Sequence, residues 1–151
     1  MAKKIKVLQR YKRKLKALKP IRVGVPAASA SEDGTKIAVY AAAHEFGSKK
    51  MNIPERSFLR PGIKNTLPKA KLLYQQQLPQ YMVGNVTAKT LQSLLGELAI
   101  GEVVAMIDSN IQPALSEGYR KHKERDLGTT DLINLRYTGT MANSIIYEIK
   151  K

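Results

Sequence analysis

The chain has 151 residues, 43% of them hydrophobic, and a mean hydropathy of −0.30; this is the size of one domain with a real buried core. It contains no cysteine, which excludes disulfides and thiolate metal sites and fits a reducing cytoplasm. Against 12 Asp plus Glu stand 26 Lys plus Arg, a net charge of +14, which favours a polyanionic partner through phosphate neutralisation and counterion release.

Residues 3 to 19 carry Lys3, Lys4, Lys6, Arg10, Lys12, Arg13, Lys14, Lys16 and Lys19 with no acid between them. Leu8, Tyr11, Leu15 and Leu18 recur at spacings of three, four and three, which predicts one helix with an apolar stripe and a basic face, stopped by Pro20. Three readings fit it: a solvated helix packing by its stripe, a basic face turned toward DNA, or a membrane-surface helix. The stripe is narrow and lacks Trp and Phe, which disfavours the last. No apolar run approaches the ~20 residues of a membrane span. No signal-peptide apolar core follows the basic start.

Ile21 to Val25 alternates as a strand. Pro26 to Gly34 reads as a mobile loop or turn. Ile37 to Phe46 is helical and rich in alanine, with Gly47 as its C-cap residue. Ser48 to Asn52 forms a polar loop. In the segment after it, Pro54 and Pro61 restrict the backbone, Phe58 and Leu59 serve as apolar anchors, and Arg56 and Arg60 are suited to bind carboxylates or carbonyls.

A helix is expected from a cap at Asn65 or Thr66 toward Gln77, kinked or ended by Pro79. Thr87 opens the strongest helix, with Leu91, Leu94, Leu95, Leu98, Val103, Met106 and Ile107 on its apolar side. Ser116 to Asp131 reads as an exposed, partly mobile polar loop. Thr138 to Asn143 predicts a short helical turn and Ser144 to Lys150 a closing strand. The sum is an α+β fold in one domain, 1–151. A small antiparallel sheet packs with two longer helices, and a basic N-terminal helix is added.

Three catalytic patterns are begun and not completed. His44-Glu45 opens a zinc-protease motif, but Ser48 stands where the second histidine belongs. Gly96 and Gly101 have the spacing of a phosphate-binding loop, but Glu102 replaces its lysine. No nucleophile elbow surrounds any serine. The expectation is a protein that is not an enzyme, with no cofactor and no metal, in which His44 is structural.

Two blocks carry a resemblance. The first is Ala42, His44, Glu45, Phe46, Gly47, then Ile53, Pro54, Arg56, Phe58, Leu59, Arg60 and Pro61; the second is Leu132, Ile133, Thr138, Gly139, Asn143, Ser144 and Ile145. The second block runs on through Thr140, Met141 and Ala142 and into the closing strand Ile146, Tyr147, Glu148 and Ile149. Together the two blocks resemble the virion-morphogenesis or tail-completion family of tailed bacteriophages. Ser57 stands where that family usually has proline, Thr140 where a basic residue is common, and Asn134 to Tyr137 lengthen the second block. The resemblance implies a structural virion protein of the neck, at the head–tail junction, assembled in the host cytoplasm. It implies a homo-oligomeric ring, sixfold favoured, around the DNA channel, touching tail-tube and head-connector proteins, with no membrane partner. His44, Glu45, Phe46, Gly47, Pro54, Arg56, Phe58, Leu59, Arg60, Pro61, Thr138, Gly139 and Ser144 would then be motif or interface residues. The cations of residues 3–19 would make non-specific contact with packaged double-stranded DNA. The alternative is a sequence-independent nucleic-acid-binding protein.

Overall fold

The computed structural model describes residues 2–30, 34, 36–128, 133–135 and 139–150, with side chains from residue 5 onward. Along these run α1 (Ala2–Ala17), β1 (Ile21–Gly24), α2 (Ile37–Phe46), α3 (Leu59–Val83), α4 (Ala88–Asp108), α5 (Glu117–Leu127), α6 (Thr140–Asn143) and β2 (Ile146–Ile149). The strands pair antiparallel, with Ile21 opposite Ile149 and Gly24 opposite Ile146, so the two ends of the chain close one small sheet. Thr87 caps α4 by accepting from the Thr90 N–H at 3.0 Å. The α4 helix packs against α3 and against both strands. This is an α+β fold with a two-stranded sheet on long helices.

The core cluster joins Ala41 of α2, Phe58, Val103 and Ile107 of α4, Leu135, Ala142 of α6 and Ile145. The close approach of α3 to α4 depends on Gly62. A Cβ there would lie 2.7 Å from the Val103 Cα, so only a bare α-carbon allows that separation. Gly96 faces the Tyr147 ring in the same way, which gives this member of the incomplete phosphate-loop pattern a packing role.

Several expectations are corrected. The α3 helix starts at Leu59, not near Asn65, and runs through both Pro68 and Pro79 to Val83. Its start is early because the capping group comes from another helix, as described below, and Pro61 sits in the first turn where no N–H is needed. The carbonyls left without donors by Pro68 and Pro79 belong to Lys64 and Gln75. Both are exposed residues, so water can replace the missing bond.

Most of the segment expected as a loop from Ser116 to Asp131 is the helix α5. Ser116 accepts from the Tyr119 N–H at 3.4 Å, and Gly128 ends the helix in the left-handed region with φ 58°. Within this charge run Lys123 is 1% exposed, and its Nζ donates to the Ile133 carbonyl at 3.1 Å. Residues 129–132, the end of that expected loop included, lie outside the described residues.

At 21 residues α4 is long and apolar enough to cross a membrane by length and composition, contrary to the expectation that no run comes close. Leu91, Leu95, Ala99, Val103 and Ile107 on it are buried within the fold. The N-terminal helix ends at Ala17 rather than Lys19, and its part of the stripe does not pack: Leu8 is 60% exposed, Tyr11 42% and Leu15 48%, while Leu18, beyond the helix end, is half-buried. It is fastened near its C-terminal end. Lys14 Nζ donates to the Tyr81 carbonyl at 2.6 Å, and the Tyr81 hydroxyl donates to the Lys14 carbonyl at 2.7 Å.

Candidate functional site

The corner after α2 is built around one buried carboxylate. Gly47, at φ 71° and ψ 159°, takes a conformation open to glycine and ends α2. Ser48 and Ile53 then pair in a narrow hairpin, and the Arg56 N–H donates to the His44 carbonyl at 2.7 Å. This return brings residues 57–60 over Glu45, which is 3% exposed. Its two oxygens accept from Ser57 Oγ at 2.8 Å and from the backbone N–H groups of Phe58 at 2.9, Leu59 at 2.8 and Arg60 at 3.1 Å. Arg60 Nε adds a further bond at 2.8 Å. A carboxylate at this place caps three orphan donors and faces the positive end of the α3 dipole.

Burial by itself would raise the Glu45 pKa; the bonds from Arg60, Leu59, Ser57 and Phe58 outweigh it and hold the group below its ordinary value. Arg60 also donates to the Glu45 backbone carbonyl and to Glu55, each at 2.8 Å, and lies over the Phe46 ring at 5.1 Å. Its own pKa is raised, first by the bond to Glu45. Glu45, Gly47, Phe58, Leu59, Arg60 and Pro61 therefore serve one purpose, the docking of the α3 start onto the α2 end. Phe46 is the outward member, 66% exposed, and Pro54 is exposed beside it.

The second block meets the first in the core. Phe58 is 1% exposed and shares its cluster with Ala142 and Ile145. Gly139 precedes α6 with φ 79°, and its carbonyl accepts from the Asn143 N–H at 3.0 Å. Ser144 Oγ donates to the Thr140 carbonyl at 2.7 Å. Thr138 and Leu132 lie outside the described residues.

Between the two blocks opens a groove of about 1480 Å³, framed by α2, the 47–56 hairpin, residues 114–116, α5 and α6. Arg56 lies in its wall, 6% exposed. Its Nε donates to the Pro113 carbonyl at 2.7 Å and its Nη2 to the Ala114 carbonyl at 3.2 Å. Burial pulls its pKa down. Among the described residues, His44 Nδ1 is buried with no hydrogen-bond partner. Burial, reinforced by the Arg56 charge, lowers the His44 pKa, so its ring is neutral at pH 7. Tyr40, one turn before His44, and Tyr119 of α5 also line the groove. Burial and then Tyr40 raise the Tyr119 pKa, while Arg56 opposes them. Sequence reasoning misses both tyrosines. The four-residue step from Tyr40 to His44 is the available signal for the first; nothing local marks the second.

The basic set divides. Lys6, Arg10, Lys12, Arg13 and Lys16 are exposed on α1, and Lys19 is exposed beyond its end. Lys14 instead turns back onto Tyr81, 5.1 Å above its ring, so it is a fastening. The side chains of Lys3 and Lys4 lie outside the described residues.

Comparison with known proteins identifies no family. No family model matches the chain, and no solved structure matches it. A 34-residue stretch is 59% identical to "Uncharacterized protein MJ0331" of Methanocaldococcus jannaschii, covering 20% of this chain and 25% of that protein. The match thus spans about a quarter of that relative's length.

Proposed function

We propose that this chain is a structural virion protein of the head–tail junction, a neck or tail-completion component that assembles as a ring around the DNA channel and has no catalytic role. The observation that carries the reading is the convergence of the two motif blocks: Phe58 from the first and Ala142 and Ile145 from the second occupy one core. Residues that match as separated sequence patterns form a single corner, as a shared fold requires. The exposed cations of α1 and the net charge of +14 suit a protein whose ring encloses a polyanion. Phosphate contacts of this kind position without reading sequence.

The same cations also favour the second reading, a sequence-independent nucleic-acid-binding protein. Deleting the gene from the genome that encodes the chain separates the two. A junction protein leaves filled heads and finished tails unjoined, restored by supplying the chain in trans. Normal joined particles from the deletion, with salt-sensitive duplex binding by the isolated chain, would establish the second reading instead.

A further inference from the structure

We infer that the groove beside α2 is a docking site for an acidic, extended segment of another protein, with one carboxylate seated on Arg56 and His44. The inference rests on the groove alone and not on the virion reading.

Three observations carry it. Arg56 is 6% exposed, yet among the described residues no carboxylate pairs with it; its acceptors are the neutral carbonyls of Pro113 and Ala114. A buried guanidinium without a counter-charge is costly, and its fixed fork matches a carboxylate. Among the described residues His44 Nδ1 is buried without a partner in the same wall, and a turn of the neutral imidazole that brings that nitrogen to the groove would satisfy both it and an incoming oxygen. Nor do the chain's ion-paired carboxylates offer themselves to Arg56: among the described residues Glu45, Glu55, Glu102, Glu117 and Asp126 are each held by a basic partner elsewhere.

The dimensions indicate a polypeptide. About 1480 Å³ exceeds the roughly 300–1,000 Å³ of small-molecule pockets, and residues of both α2 and α5 line the groove. Phe46 at 66% and Tyr119 at 45% exposure give apolar surface beside the polar seat, where flanking residues of such a segment can lie.

The test uses the full chain and a library of end-blocked random octapeptides at an ionic strength of about 0.15 M, where loose surface attraction is screened. Selected peptides are expected to carry Asp or Glu at one fixed register. Changing that residue to its amide should weaken binding about ten-fold or more, the scale of a charge-assisted hydrogen bond. Arg56→Lys and His44→Ala should each weaken binding similarly, while the triple change Lys12→Gln, Arg13→Gln, Lys16→Gln leaves it unchanged. Because Arg56→Lys could disturb residues 113–114, the wild-type Arg56 Nε–H resonance gives an independent readout and should shift on titration with a selected peptide. The inference is overturned by failure to select any peptide, by peptides without a fixed carboxylate, or by binding that follows the α1 cations while the Arg56 signal stays still. Tighter peptide binding after Glu32→Gln with Asp33→Asn would also overturn it, by showing that the chain's own acids are the occupant.

Discussion

Arg60 grips Glu45 twice, through Nε to the carboxylate and through Nη2 to the backbone carbonyl, both at 2.8 Å. The last turn of α2 and the first turn of α3 are thereby locked into one corner. The carboxylate accepts five bonds in all, so its removal leaves three backbone donors of the α3 start without a partner.

Glu45→Ala should destabilise the chain by about 3 kcal/mol, the upper end for bonds to a charged acceptor; Glu45→Gln, which keeps the shape, should cost less. Acid should act in two windows. His44 has a depressed pKa, so between its ordinary value of 6.5 and its lower folded value the unfolded chain binds more protons, and stability falls as pH falls. Glu45 is also depressed, so its contribution is complete above its ordinary 4.5 and is lost as pH drops through the folded value. Denaturant melts from pH 7 to pH 3 should show both losses, with His44→Gln removing the upper one and Glu45→Gln reducing the lower.

Phe58→Ala should cost about 3–5 kcal/mol in the isolated chain, because the ring is fully enclosed in the subunit core. Urea unfolding monitored by circular dichroism measures this. An unchanged midpoint with failed assembly would instead assign the ring to an interface.

Alanine should destabilise the chain at two glycines and stabilise it at a third. Gly62→Ala forces a Cβ against the Val103 backbone and should cost about 1–3 kcal/mol. Gly47→Ala meets an unfavourable φ of 71° and a 3.1 Å approach to the Glu55 nitrogen, with a similar cost of about 1–3 kcal/mol. Gly101, in open space on α4, should gain about 0.5–1 kcal/mol from alanine. Melting temperatures of the three variants give the order directly.

Neutralising Lys12, Arg13 and Lys16 to Gln should leave the melt unchanged, since all three are exposed. It should weaken duplex DNA binding and flatten its salt dependence, by about one unit of slope for each phosphate no longer neutralised. Lys14→Gln should act otherwise. It loosens α1 from Tyr81, and faster amide exchange through α1 would report that. Equal DNA affinity in the triple variant at low and high salt would remove α1 from the DNA path.

Elements whose signals are local are legible in the sequence. The α2 boundaries follow from an apolar run closed by glycine, α4 from the Thr87 cap and its apolar side, and β1 from alternation. The α3 start is hidden because its cap is Glu45, twelve or more residues away and on another helix, so no residue beside Leu59 announces it. The α5 helix is masked by its charge: its caps, Ser116 and Gly128, are ordinary, but a polar run lacks the periodic apolar face that identifies a helix. The apolar stripe of α1 is a true pattern that does not pack, because periodicity tells which residues share a face and not whether anything covers it. At the site, the roles of Arg56 and Arg60 follow from residue type, while the groove with Tyr40 and Tyr119 depends on α5, whose sequence reads as a solvated loop.

The junction reading is tested most directly by an image, at side-chain resolution, of the neck of tailed particles produced from the genome that encodes this chain. The expected result is a closed ring of this fold between portal-side and tail-side proteins, with Lys12, Arg13 and Lys16 of each copy turned toward the DNA. Density for the chain away from the junction, or complete joined particles that lack it, would contradict the account; a ring with α1 on its outer rim would keep the junction role and remove the DNA role.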